Sequence, residues 1–227
     1  MAKEIQTGAM MSAMETVQEF VQENIRQISA IALVVIVVAA FIGFWQYQKI
    51  TSESRANVLL NSALAILTAE PGKDVDSTTR FSKVLERFKQ IEEKYPSTPA
   101  GAAALMYAGM MSYKLKMYEE AISFYNDFLK RADDAVAFLK PSAYEGLGYV
   151  YESQGEYQQA LEWFEKQHGE QDGENSEALM NMARCYELKG DNVNACEAYK
   201  TFVKKTPSSS FVEIANIKIR SLCSEGM

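Results

Sequence analysis

From Ile28 to Trp45 the chain reads ISAIALVVIVVAAFIGFW, a run without a single charge. It is apolar on every face, which separates it from the one-sided helix of a soluble core. Its length suits a hydrocarbon layer of roughly 30 Å. Eleven of its residues are Ile, Leu, Val or Phe, and at about −0.3 to −0.6 kcal/mol each they supply roughly −3 to −7 kcal/mol towards insertion. Trp45 and Tyr47 follow, where amphipathic rings favour the interface. The pattern predicts a transmembrane anchor over 28–47. A cleaved signal peptide fits less well: the preceding segment is long and acidic, with Glu4, Glu15, Glu19 and Glu23 against Lys3 and Arg26, and no small-x-small site ends the run. Before the span, Met10, Met14, Val17, Val21, Ile25 and Ile28 recur at helical spacing, so 1–27 reads as an amphipathic segment. Lys3 and Arg26 on one side and Lys49 and Arg55 on the other leave orientation almost balanced. The terminal amine tips it towards an N-inside arrangement.

Beyond the span the apolar pattern changes to a helical period that repeats. The clearest unit starts at Pro141, with Tyr144, Leu147, Gly148, Tyr151, Gly155, Tyr157, Ala160 and Phe164. Small residues at Gly148 and Ala160 let two antiparallel helices cross closely. Gly155 suits the left-handed residue that ends the first helix. The next unit has Leu179, Met182, Ala183, Tyr186, Gly190, Ala195, Tyr199, Phe202 and Pro207. The preceding one has Leu105, Gly109, Tyr118, Ala121, Tyr125 and Phe128, but Ser112 and Lys116 break the pattern and leave its turn open. Ala121 to Ala160 is 39 residues and Ala160 to Ala195 is 35, which places extra residues near RADDAVAF. A weaker unit comes first, with a helix over 55–68 and the stripe Phe81, Val84, Leu85, Phe88 and Ile91, closed by Tyr95-Pro96. Phe211, Ile214, Ile217 and Leu222 predict a final helix, as a solenoid needs to cover its last apolar face.

The expected fold is therefore all-α: one transmembrane helix, then an α-solenoid over 48–227. Its helix pairs span about 54–96, 102–136, 141–174 and 176–207, with a cap over 208–222. The units resemble tetratricopeptide (TPR) repeats, specifically over 141–207 and more loosely over 102–140. The layout as a whole, with a short N-terminal segment, one anchor, no linker and the phrase YPSTPAGAAAL, resembles the ancillary SecYEG translocon subunit family (YfgM-like). That resemblance implies a bacterial inner-membrane protein with a cytoplasmic N-terminus and periplasmic repeats. It implies partners among the translocon, periplasmic chaperones and exported clients. The role expected is a protein-binding adaptor in protein export and envelope folding; the alternative is a static assembly scaffold of an envelope complex.

The TPR resemblance also implies a ligand groove lined by the second, fifth, ninth and twelfth positions of each first helix. These map to Met106, Met110 and Tyr113, to Glu145, Tyr149 and Glu152, and to Met180, Arg184 and Glu187. Met and Tyr suit a mixed apolar and polar partner, and the carboxylates favour Lys or Arg. The simpler alternative is that these are plain solenoid surface, with two of the methionines packed on a neighbouring helix. Met106 and Met110 stand where a carboxylate-clamping groove would carry Lys and Asn, which argues against that specialised use.

A formal net charge of −7 with no basic stripe argues against nucleic acid. No phosphate loop, nucleophile–His arrangement or metal motif appears, so no enzyme, cofactor, metal or small-molecule substrate is expected. His168, the single histidine, sits in the polar stretch HGEQDGEN and reads as a solvated loop residue. Three cysteines lack zinc-site spacing. The repeat register sets Cys185 and Cys196 on facing helices of one unit, which allows a disulfide between them that would leave Cys223 free; the alternative is two buried thiols acting as small apolar residues.

Overall fold

The computed structural model describes residues 14, 18, 20–68, 76–170 and 176–223. Most of the segment 1–27, with Met10 and Val17 of its predicted stripe, lies outside them. The chain divides into two units, 1–51 and 52–227. Every regular element among the described residues is helical.

Helix α1, Ile25–Thr68, is unbroken. Over its apolar stretch Ile31, Val34, Ile36, Phe41 and Trp45 are all exposed. It is long and apolar enough to cross a membrane. In the second unit its Ala56, Leu60 and Ala63 join the buried cluster of Val84, Leu85, Phe88 and Ile91 from α2, Ser77–Lys94. Asp76 caps α2 by accepting from the Thr79 amide.

The turn into α3, Pro99–Lys114, is built by YPSTPAG. Thr98 Oγ1 accepts from the Gly101 amide at 3.0 Å, and Pro99 occupies the first turn, where it lacks only a donor that would be unused. A side chain at Gly101 would sit 2.1 Å from the Tyr95 carbonyl oxygen, so this approach requires glycine. Helix α3 is rich in alanine because it is enclosed: Ala100, Ala104, Leu105, Ala108 and Met111 are all buried. It packs on α2, on α4, Tyr118–Arg131, and on α5, Lys140–Ser153.

Each remaining pair turns in the same way. Lys116, Gly155 and Gly190 have φ of 60°, 79° and 82°. Their amides donate to Tyr113, Glu152 and Glu187, and the next amides, of Met117, Glu156 and Asp191, donate to Ser112, Tyr151 and Tyr186. This is a Schellman closure in all three units. The unit left open by its sequence thus has the common turn, with lysine carrying the left-handed conformation.

The turns pair α5 with α6, Tyr157–Gly169, and α7, Ser176–Lys189, with α8, Asn192–Lys205. The longer step between units is taken up by residues 132–136 and a 3₁₀ turn, Ala137–Leu139, which bury Val136 and Leu139. The second helices carry one register: Val84, Ala121, Ala160 and Ala195; then Phe88, Tyr125, Phe164 and Tyr199; then Ile91, Phe128, Gln167 and Phe202. All are buried. The last row contains one polar member, Gln167, whose Oε1 has no hydrogen-bond partner.

Helix α9, Val212–Leu222, packs on α8. Its buried face differs from the predicted stripe. Ala215 is fully buried, with Val212, Ile219 and Leu222 around it. Phe211, Ile214 and Ile217 are 54%, 49% and 51% exposed. Both sets have helical spacing, so periodicity could not choose between them. Lys218, ion-paired with Glu187 on α7, sits on the side of α9 that faces the solenoid.

The cysteine expectation is also corrected. Cys196 is bonded to Cys223 at the end of α9, and Cys185 is a free buried thiol. Ala183 on α7 packs towards Ala195 and Tyr199 of α8. Cys185 lies two residues on, roughly 200° around the helix, and joins Ala160, Leu161 and Phe164 of the preceding unit. It therefore faces away from Cys196.

Candidate functional site

The first helices α5 and α7 bring four side chains of the predicted groove, Glu145, Tyr149, Glu152 and Arg184, into one network with Asn181. Tyr149 Oη lies 3.0 Å from Glu145 Oε1 and 3.2 Å from Asn181 Oδ1. Asn181 donates from Nδ2 to Glu145 Oε1 at 3.2 Å and accepts from Arg184 Nη1 at 3.1 Å. Arg184 reaches across the helix pair to Glu152 with two arms, at 2.9 and 2.6 Å. The guanidinium also lies 5.5 Å from the centre of the Tyr149 ring. This planar, bidentate arrangement fixes Arg184 far better than a single contact would.

The electrostatics follow from burial and these partners. Burial, then Glu145, pushes the Tyr149 phenol up to about 12, so it stays a donor at any physiological pH. The hydrogen bonds Arg184 donates to Glu152 hold it charged. Burial, followed by the Glu152 charge, pushes the Cys185 thiol up to about 12, which makes it a packing residue rather than a nucleophile.

Tyr149, Met180 and Arg184 line an open cavity of about 400 Å³, together with Asn181, Phe202 and Phe211. Tyr113 extends the aromatic surface, its ring centre 6.3 Å from that of Tyr149 and its hydroxyl 3.3 Å from Ser153 Oγ. Met106 does not belong to this surface. It is only 5% exposed and sits in the main core cluster, because α3 is enclosed by three neighbours. Met110 is half-buried against the same cluster. Glu187 is engaged by Tyr199 Oη at 3.0 Å and by Lys218, so it ties α7 to α8 and α9.

Ser176, Glu177, Asn181, Phe202, Ser209 and Phe211 line the cavity and were not among the predicted site residues. Glu177 is the second position of the unit beginning at Ser176, so the position rule already pointed to it. Asn181 is 3% exposed among the buried Ala178, Leu179, Ala183 and Cys185 of α7, and such a buried amide among apolar neighbours is the signal that could have found it. Among the described residues no group of His, Cys, Asp and Glu is arranged to hold a metal ion.

An all-helical solenoid of paired helices, with a polar network and an open cavity on its first helices, defines a helical-repeat domain. The chain belongs to the tetratricopeptide repeat-like domain family, whose model matches residues 18–224. Such domains bind other proteins or peptides and are generally binding scaffolds rather than catalysts. Among curated protein sequences nothing matches. The fold is shared with solved structures of low identity. The MamA protein superposes with a TM-score of 0.54 at 20% identity, over 67% of this chain and 73% of that one. YrrB, described as a TPR protein with an unusual peptide-binding site, gives 0.54 at 16% identity, over 74% and 76%. A TPR protein from Parabacteroides merdae gives 0.59 at 15% identity, over 75% and 60%.

Proposed function

We propose that this protein is a membrane-anchored TPR adaptor, with α1 as its anchor and the repeats on the periplasmic face of a bacterial inner membrane. It associates there with the translocon, periplasmic chaperones or exported clients in protein export and envelope folding. The observation that carries the binding role is the cavity of about 400 Å³ beside Tyr149, Met180 and Arg184, whose polar groups are already fixed by one another. Preset side chains lower the ordering cost of association. YrrB, of similar fold, is described as having a peptide-binding site. The periplasmic placement is supported by the family resemblance and by the Cys196–Cys223 bond, since such bonds persist in oxidising compartments.

The scaffold reading is favoured by a separate observation, the exposed Phe211, Ile214 and Ile217 on α9. A photo-crosslinking side chain placed at Met180 or at Ile214 in cells separates the two. The adaptor reading expects crosslinks from 180 to chaperones and exported clients. Crosslinks from 214 alone, to one stoichiometric partner, would replace it with the scaffold. Protection of the repeats from protease in intact spheroplasts would overturn the periplasmic placement.

A further inference from the structure

The cavity beside α7 has a chemistry of its own. Phe202 of α8, Met180 of α7, Tyr149 of α5 and Phe211 at the start of α9 give it apolar and aromatic walls. Its volume, about 400 Å³, is at the small end of ligand pockets, which run from about 300 to 1,000 Å³. That suits one long side chain and its neighbours on an extended segment.

The charges around it do not cancel. Arg184 is committed to Glu152 through two hydrogen bonds. Lys218 is committed to Glu187. These two pairs are neutral. Glu177 on the wall and Glu145, one bond behind Tyr149 and Asn181, remain. Neither has an ion-pair partner among the described residues, and burial, then the Glu145 charge, raises the Glu177 carboxyl above its ordinary value. Two like charges placed near one another repel. A cation arriving at this point would offset that repulsion by pairing with the carboxylates. A carboxylate ligand would find no uncommitted cation.

Resting on the groove as the binding surface, we propose that this cavity is a subsite for a Lys or Arg side chain of a partner protein's extended segment. The aliphatic stem lies along Met180, Phe202 and Phe211, and the charged head meets Glu177 and Glu145. Long basic side chains bury their stems and keep their heads polar, and the Tyr149 and Phe211 rings add attraction for a cation. The subsite reads the partner by charge, with apolar neighbours favoured on either side of the basic residue.

The test uses the full chain in lipid nanodiscs and a random 12-residue peptide library displayed on phage. Selection should enrich one basic position flanked by apolar residues. In fluorescence anisotropy, replacing that Lys or Arg by norleucine should weaken the enriched peptide at least tenfold. Glu177→Gln, at an exposed position, should shrink that discrimination several-fold, and Glu145→Gln with Glu177→Gln should abolish it. Enriched peptides without a basic residue, still competing at Tyr149 and Met180, would overturn the subsite and leave the groove standing. No enrichment over empty nanodiscs would overturn both. Equal binding of the basic and norleucine peptides to the parent chain would also end the proposal.

Discussion

Gly148 lies under the ring of Phe164: a Cβ placed on Gly148 would stand 2.4 Å from Phe164 Cε1. The same relationship holds one unit earlier, where a Cβ on Gly109 would meet the Tyr125 ring at 2.8 Å. In the next unit Ala183 takes the small position, in the cluster with Tyr199. The repeat is thus held by a small residue on its first helix and an aromatic on its second. The sequence places Gly148 and Ala160 at this crossing, with Phe164 among the side chains around it, and the structure sets the Phe164 ring directly against Gly148.

Phe164 is fully buried, and its ring already lies where a Cβ on Gly148 would stand. Gly148→Leu should therefore destabilise the domain by about 1–3 kcal/mol or more through overpacking. Urea denaturation of the fragment 50–227, followed by circular dichroism, measures this. An unchanged midpoint would show that the two helices are registered differently.

Lys116 holds φ at 60° on an exposed turn where the sister turns use Gly155 and Gly190. A left-handed residue with a Cβ costs roughly 1 kcal/mol, offset in part by the freedom glycine has when unfolded. Lys116→Gly should raise stability by up to about 1 kcal/mol, and Lys116→Val should lower it. A fall in melting temperature with glycine would contradict the shared turn.

The Cys196–Cys223 bond spans a sequence separation of 27. Loop-closure entropy for that length is worth about 3–4 kcal/mol, so Cys223→Ser should lower stability by a few kcal/mol. Non-reducing peptide mapping should recover linked fragments holding Cys196 and Cys223, with Cys185 alkylated only after denaturation. Linkage through Cys185 would refute the assignment.

Gln167 is 2% exposed at a position where the other units bury Ile91, Phe128 and Phe202, and its Oε1 is unpaired. An unsatisfied buried polar atom costs about 1–3 kcal/mol. Gln167→Leu should stabilise the fragment by about 1 kcal/mol or more, as read by its urea midpoint. Loss of stability would mean that the amide has a partner.

Burial, then Glu145, raises the Glu177 carboxyl above its ordinary value. Between that ordinary value and the raised one, the folded state binds more protons than the unfolded state, so this group's contribution to stability falls as pH rises. Glu177→Gln, which keeps a hydrogen-bonding amide and removes the charge, should melt higher than the parent near neutral pH. The gap should close as both are taken to about pH 4. A gap independent of pH would show that the two carboxyls do not interact.

The local signals came through the sequence because they depend on near neighbours. An apolar run at 28–45 needs no tertiary context to be recognised, and Gly155 and Gly190 mark turns through their own backbone freedom. The Tyr, Ala and Phe of each unit recur because each helix pair poses the same packing problem. From these the all-helical repeat architecture followed, and with it the first helices as the place to look for a site.

What the tertiary structure decided were the choices among faces. Met106 and Met110 share a helix and differ by one turn, yet α3 has three packing neighbours and buries the first almost completely. Cys185 and Cys196 lie on facing helices, but a rotation of about 200° from Ala183 turns Cys185 to the preceding unit. Two apolar stripes on α9 satisfy the same period, and contact with α8 selected the one through Ala215. Lys116 adopts the conformation of glycine because the helices on either side fix the turn. Spacing determines which residues share an element, and only packing against neighbours determines where each of them points.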